Sequence, residues 1–383
     1  MNRVLLIVVL SAVTTAHADE PKLPVAKAVG KLELVATFDG PMPTGVTVSR
    51  TGRIFINYPR WGDDVVFTVA EVKSGKASAF PPELNKFDTN RPAECLVSVQ
   101  SVVVDPADRL WILDTGSIEF GPPLPGGAKL VGVDLETNKV FKTILFPPEV
   151  ALPTTYLNDV RFDLRRGQAG VAYITDSALK GANGIIVVDL HTGASRRRLN
   201  DHVSTKAVKD FLPIVEGRPL LERKPGEQPK PIAIGSDGIA ISHDGKFLYY
   251  CPLASRHLYR VPTDLLVDEK VTDEQVAKAV EDLGDRGFAS DGLETDDKGR
   301  IYLTDYEHNA ILRRGTDGRY ETVVHDPRML WPDTMSVASD GYLYFTANQL
   351  HRQKNYHDGR DLREKPYALF RTKIDAGPVN LRR

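Results

Sequence analysis

With only two cysteines in 383 residues, Cys95 and Cys251, the chain has no disulfide framework to build on. They fall in different, non-adjacent repeats of the pattern described below, which predicts two buried free thiols. No G-x-S-x-G, H-E-x-x-H or C-x-x-C occurs, which argues against a serine hydrolase, a zincin and dithiol redox chemistry. Neither sign of charge dominates: 49 Lys and Arg stand against 51 Asp and Glu, for a net charge of -2. Without a basic face, nucleic acid is not an expected partner.

Long apolar runs are also missing, with one short exception. After Arg3 come ten apolar or small residues, Val4 to Val13, and then an Ala-His-Ala ending at Ala18. That order reads as a secretory signal peptide over residues 1–18. The run is far short of the roughly 20 residues that span a bilayer. The mature protein is therefore expected to be secreted or periplasmic, monomeric and free of membrane spans, with a flexible Pro- and Lys-containing segment over residues 19–30.

What the chain does have is repetition. From Ser290 to Asp305 it reads SDGLETDDKGRIYLTD: a small residue and an acid, a short strand, a D-x-x-G turn and an alternating strand. Six copies of this hairpin begin at Thr44, Gln100, Asn158, Asp237, Asp291 and Asp333, at intervals of 56, 58, 79, 54 and 42 residues. Repeats of that length suit a blade of four strands, and six copies predict an all-β, six-bladed β-propeller forming one domain over residues 31–383. Two strands lack a local partner, Lys31 to Phe38 and Tyr367 to Ile374. Pairing them would let the N-terminal strand complete the last blade and close the ring.

Two segments break the rhythm. A polar, Pro-rich insertion between Asn200 and Ile234 accounts for the longest interval and reads as a lid. Thr272 to Gln275 forms a capping box, and Val276, Ala279, Val280 and Leu283 follow at helical spacing, predicting a short helix on the outside of the ring.

The start of each innermost strand and the end of the next strand open on the same face. One mouth should therefore gather Thr44, Gln100, Asn158, Asp237, Asp291 and Asp333. Three of these are carboxylates, which resist joint ionisation unless a cation or donor intervenes. Ca2+ suits such oxygens best, with Mg2+ or Zn2+ as alternatives; the competing reading is that each Asp caps its own hairpin. An outer ring of Arg60, Trp61, Asp114, Asp176, Glu307, Asn348, His351 and Arg352 forms a mixed aromatic and polar rim suited to a small polar ligand. For Asp114 and Asp176, bonding to neighbouring turns is the preferred reading.

Several segments go beyond generic blade patterning: Pro59-Arg60-Trp61, RLWILDTG from Arg109, LNDV from Leu157, AYITDS from Ala172, SDGIAIS from Ser236 and WPDTMSVASDGYLYFTANQLHR from Trp331. Together, and in this order, they resemble the Yellow and major royal jelly protein family, including its bacterial members. The resemblance implies a secreted six-bladed propeller. It constrains chemistry less, since members include pigmentation proteins linked to dopachrome conversion, nutritive proteins and salivary binders of biogenic amines. It also implies that Asn348 contacts ligand, as the matching Asn does in amine-binding members.

The chain is more distantly similar to the gluconolactonase and regucalcin-type lactonases. That resemblance implies a divalent cation held by Asn158, Asp237 and Asp291, with Thr44 where those enzymes have a Glu. Three functions follow as alternatives. One is a binder of a small molecule, with Arg60, Trp61, Asp333, Asn348, His351 and Arg352 as ligand contacts. Another is an enzyme, either a metal-dependent lactonase or a dopachrome-tautomerase-like protein. The last is a platform for protein partners.

Overall fold

The computed structural model describes residues 27–383, so the segment read as a signal peptide lies outside the described residues. Six four-stranded antiparallel sheets succeed one another, and the innermost strand of each touches that of the next all the way round the ring. Five sheets use four consecutive strands. In the sixth, the order runs from Pro332–Val337 through Tyr342–Ala347 and Tyr367–Lys373 to Glu33–Phe38, with Phe38 opposite Tyr367. The protein is thus a six-bladed β-propeller closed by its N-terminal strand. Just before that strand, Val29 is tied by two backbone hydrogen bonds to His325.

The repeated D-x-x-G turn has a physical reason. In blade two, Asp105 accepts from the amides of Ala107 and Arg109, from Nε of Arg109 and from the indole of Trp111. In blade five, Asp296 does the same for Lys298, Arg300 and the Tyr302 hydroxyl. The fourth turn position lies at positive φ, 65° at Asp108 and 76° at Gly299, which explains the preference for Gly or Asp there. Large side chains then cement neighbouring blades. Trp111, almost wholly buried, stacks on Phe162 of blade three with ring centres 5.4 Å apart. Burying a side chain of this class contributes about 1.5–3 kcal/mol.

At the mouth, four of the six inner strands carry a register shift, between Val99 and Ser101, Leu157 and Val160, Ser236 and Ile239, and Pro332 and Met335. These bulges fall on the ring residues Gln100, Asn158, Asp237 and Asp333 and re-aim their side chains. Close approach between blades explains the glycine that follows two of the ring acids. A Cβ at Gly238 would lie 2.4 Å from the Asp291 carbonyl oxygen, and one at Gly292 would lie 2.3 Å from that of Asp333.

The insertion forms two short hairpins, Ile214–Val215 with Arg218–Pro219 and Leu221–Glu222 with Lys230–Pro231. Its Phe211, Val215, Leu220 and Ile232 are buried in one apolar cluster with Tyr306, Trp331 and Leu350 at the mouth. A second long excursion, residues 348–366, joins two strands of blade six on the same face. On the opposite face the C-terminal tail passes beneath the ring: Pro378 bridges to Asp296 of blade five, and the Leu381 carbonyl accepts from the amide of Leu164 in blade three. Leu381 itself is buried.

The helix over 272–283 is shorter than its apolar spacing predicts. The capping box is present and the helix spans Asp273–Lys278, but Glu281–Asp285 is a strand. Blade four needs a fourth strand, and Leu283 is taken into it. Both cysteines are free and buried.

Candidate functional site

The six ring residues are all buried, between 0% and 7% exposed, although five of the six carry polar groups larger than a hydroxyl. Above them lies a cavity of about 540 Å³. Gln100, Asn158, Asp237, Asp291 and Asp333 form its floor, while Trp61, Phe120, Tyr156 and Tyr356 supply aromatic walls. Residues 230–234 of the insertion and Leu350, Gln353 and Asn355 of the blade-six excursion close it above.

The floor is a chain of hydrogen bonds. The Asn158 amide donates to the Ser177 hydroxyl at 2.6 Å, and that hydroxyl lies 3.2 Å from Oδ2 of Asp237. The Trp331 indole donates to Oδ2 of Asp291 at 2.6 Å, and the Asn348 amide donates to Oδ2 of Asp333 at 2.6 Å. Burial pushes all three carboxyls above their ordinary range, and for Asp237 and Asp333 the negative charge of Asp291 pushes further. Asp291 is raised to about 6, burial outweighing the indole hydrogen bond that favours its ionised form. The three Asp residues therefore compete for ionisation with no basic side chain among their hydrogen-bond partners, although Lys180, Lys224 and Lys230 stand elsewhere on the cavity wall.

One wall is an aromatic slab. Trp61 stacks on Phe120 at 5.0 Å and donates from its indole to the Tyr156 hydroxyl at 2.6 Å. That hydroxyl in turn donates to Gln100 at 3.1 Å. The slab thus hangs from the ring and is held flat beside the acids. Tyr156 stays neutral, its hydroxyl pushed well above its ordinary range by burial.

Beneath the floor the channel is plugged. Arg161 of blade three reaches the Leu293 carbonyl of blade five at 2.6 Å and pairs with Asp159 at 2.8 Å, and Asp159 accepts from Ser101 of blade two at 2.7 Å. A second cavity of about 510 Å³ opens on the other face, bordered by the C-terminal tail.

Of the rim residues, Trp61 lines the cavity and Asp333 lies on its floor, with Asn348 directly behind that acid. Arg60 turns aside: its guanidinium donates to the carbonyls of Val97 and Val65 and lies 4.1 Å over the ring of Phe87. His351 and Arg352 reach outward to Glu216 of the insertion, at 2.8 Å and 2.5 Å. Asp114 accepts from the amides of Val97 and Ser98 and Asp176 from those of Tyr156 and Ala178, and the two pair with Lys129 and Arg197. Phe120, Tyr156, Ser177 and Tyr356 were not singled out by the repeat pattern. Tyr156 had a signal in hand, standing two residues before the ring position Asn158.

The family model described as major royal jelly protein matches residues 97–379, most of the length and five of the six repeats. The chain belongs to the major royal jelly protein family. It is 24% identical over 333 residues to the Yellow-related salivary protein SP04 of Phlebotomus argentipes, covering 80% of this chain and 78% of that protein. Against major royal jelly protein 7 of Apis mellifera it is 29% identical over 185 residues, 47% of this chain and 38% of the relative. Against protein yellow of Drosophila melanogaster it is 25% identical over 270 residues, 64% and 46% of the two. The chain thus spans less than half of the royal jelly and yellow proteins it matches.

Among solved structures, this family member shares its fold with a luciferin-regenerating enzyme, at TM-score 0.57 and 11% identity over 93% of this chain and 100% of the other. It also resembles regucalcin of Agrobacterium tumefaciens, a calcium-binding protein, at TM-score 0.52 and 15% identity over 90% and 95%. At such identities the likeness concerns the fold alone.

For a cation of the kind the lactonase resemblance implies, the donors here are hard oxygens but few. Asn158 keeps its amide oxygen free and Asp291 keeps Oδ1, since the other atom of each is engaged. Thr44 does not join them, because its hydroxyl accepts from Asn57 at 2.8 Å and is directed at the Gln100 carbonyl. Among the described residues no three His, Cys, Asp or Glu side chains are grouped to hold a metal ion. Asn158, Asp237 and Asp291 therefore fit Ca2+ in donor type, and water would have to complete its usual six to eight ligands.

Proposed function

We propose that this royal jelly family member binds a small cationic or hydroxylated aromatic molecule in the cavity at the channel mouth. The observation that carries this reading is the pairing of opposite needs on two walls. Asp237, Asp291 and Asp333 have no basic hydrogen-bond partner: they are held by Ser177, Trp331, Asn348 and Thr334, and Asp237 and Asp291 share a hydrogen bond with each other. A positive group there would relieve both their burial and their mutual repulsion. Beside them, Trp61, Phe120 and Tyr156 present a rigid surface for a flat ring.

A divalent cation is the second reading, supported by the free oxygens of Asn158 and Asp291 beside Asp237. If a cation sits there, the lactonase-type alternative becomes chemically open, since a bound metal can polarise a carbonyl or a water. Export is part of the proposal, resting on the leader-like residues 1–18 and on a relative named as salivary. No helix among the described residues is long and apolar enough to cross a membrane.

The test is titration calorimetry with aromatic amines, catechols and sugar lactones, each with and without added Ca2+. An amine or catechol that binds the parent should bind Asp333→Ala and Asn348→Ala roughly tenfold to a hundredfold more weakly, the cost of losing a buried polar contact. Equal affinity in both variants would move the site elsewhere, and hydrolysis of a lactone only with Ca2+ present would favour the second reading.

A further inference from the structure

The roof over the cavity is made of two parts with no covalent link between them at the seam. One is the insertion; the other is the blade-six excursion at residues 348–366. Three contacts join their edges. The Arg223 amide donates to the Asn355 carbonyl at 2.7 Å, and the Asp358 amide donates to the Arg223 carbonyl at 3.0 Å. The third is a clasp: Glu216 lies between Nε2 of His351 at 2.8 Å and the guanidinium of Arg352 at 2.9 and 2.5 Å.

Three features set the clasp apart from an ordinary surface ion pair. Glu216 occupies the tip of its hairpin at a φ of 48°, a left-handed conformation that disfavours a residue with a side chain. It therefore arrives at the seam with its backbone held in a costly turn. His351 is 3% exposed and lies flat on Trp331, ring centres 5.8 Å apart, and Trp331 donates to Asp291 on the cavity floor. Finally, Nδ1 of His351 is buried with no hydrogen-bond partner, so Glu216 is the side-chain partner that satisfies this ring.

The hairpins themselves are weakly built. Each is a ladder of two residue pairs, and on its own such a hairpin is marginal in water. Their apolar residues Phe211 and Leu220 pack on the mouth, but Leu212 and Ile214 beside them are 41% and 43% exposed. Buried Phe211, Val215, Leu220 and Ile232 thus anchor the insertion to the mouth, while the clasp at Glu216 is the charge-assisted contact that joins its edge to the other leaf.

We propose that Glu216, gripped by His351 and Arg352, is the latch of a two-leaved lid over the ligand cavity, and that its release opens the seam to admit ligand. The proposal rests on the cavity being a binding site, but its test needs no ligand. Hydrogen exchange followed by mass spectrometry on the full chain, with Glu216→Gln and Arg352→Ala, reads the roof directly. Acrylamide quenching reads the cavity, because Trp111 and Trp331 are buried and Trp61 lines the cavity wall.

Both variants should exchange roughly tenfold to a hundredfold faster over residues 211–222 and 348–358, as expected for loss of charged hydrogen bonds, while the six blades keep their parent rates. Trp61 should become more quenchable in both. Parent-like exchange and quenching in the two variants would show the roof to be a fixed wall and overturn the proposal. Acceleration spread evenly over the blades would overturn it too, since the contact would then be a general prop. A latch confirmed in this way would stand even if no amine, catechol or lactone bound.

Discussion

The indole of Trp331 in blade six donates to Oδ2 of Asp291 in blade five at 2.6 Å, the same distance at which Asn348 donates to Asp333 one blade on. Trp331 does this from a φ of 58°, and its face is stacked on Tyr306 at 4.2 Å. A bulky residue in a left-handed conformation, completely buried, is a local cost that the surrounding structure carries at this mouth.

Trp331→Phe keeps a ring for the stack and removes the N–H. Asp291 should then titrate above its value of about 6, because the larger of the two hydrogen bonds favouring its charged form is gone and only that from Asp237 remains. An NMR titration of its side-chain carboxyl reads this directly. An unmoved titration would mean that the indole contact is electrostatically idle. Stability at neutral pH should fall by about 1–3 kcal/mol, the usual cost of an unsatisfied buried polar group.

The pH dependence follows from the same carboxyls. Asp237, Asp291 and Asp333 hold their protons more tightly folded than unfolded, so the folded state binds more protons once pH exceeds the ordinary carboxylate range. Their contribution to stability is fully present at pH below the unfolded values and is lost as pH rises through about 6 and beyond. Asp237→Asn removes one competitor and should raise the melting temperature at pH 8 more than at pH 5. The reverse order in thermal melts would contradict the direction of these shifts.

Binding should show the opposite trend. A cation needs ionised acids, so its affinity should increase between pH 5 and pH 7 and its binding should release protons. Calorimetry in buffers of different ionisation enthalpy measures that release. A pH-independent affinity would place the cation away from Asp291.

Metal binding is tested by chelation. If Asn158, Asp237 and Asp291 hold Ca2+, excess chelator should lower the melting temperature and added Ca2+ should restore it by mass action. An unchanged melt, together with no metal in elemental analysis of the purified protein, would remove both the cation and the lactonase alternative.

Ring closure makes a separate prediction. Removing residues up to Phe38 deletes the outer strand of blade six, with its buried Ala36 and Phe38, and leaves Tyr367–Lys373 as an exposed edge. The truncated protein should melt well below the parent, since loss of the buried Phe38 alone costs about 3–5 kcal/mol. Parent-like melting would mean that the ring is held shut without it.

The ring of Thr44, Gln100, Asn158, Asp237, Asp291 and Asp333 could be read from sequence because each member opens a local hairpin whose turn obeys a tight rule. Hairpins are short-range, and so is their pattern. Arg60 and Arg352 could not be placed in the same way. Their partners, the Val97 carbonyl and Glu216, lie in other repeats or insertions, and nothing in the local spacing indicates which way a long side chain turns. The aromatic walls were hidden for a related reason: Phe120 and Tyr356 stand in loops, where no periodicity marks the inward side. At Leu283 the helical spacing misled, because the need for a fourth strand in blade four overrode it.

The path of the last residues sets an orientation. Residues 377–380 and 382 border the cavity on the face opposite the mouth with the ring acids, and Leu381 is buried against blade three. Anything attached beyond Arg383, whether a fused domain, a tag or a solid support, therefore leaves the molecule from its underside. A protein tethered by its C-terminus would stand with the roofed mouth facing outward, so surface-immobilised binding assays on this chain should be built from that end.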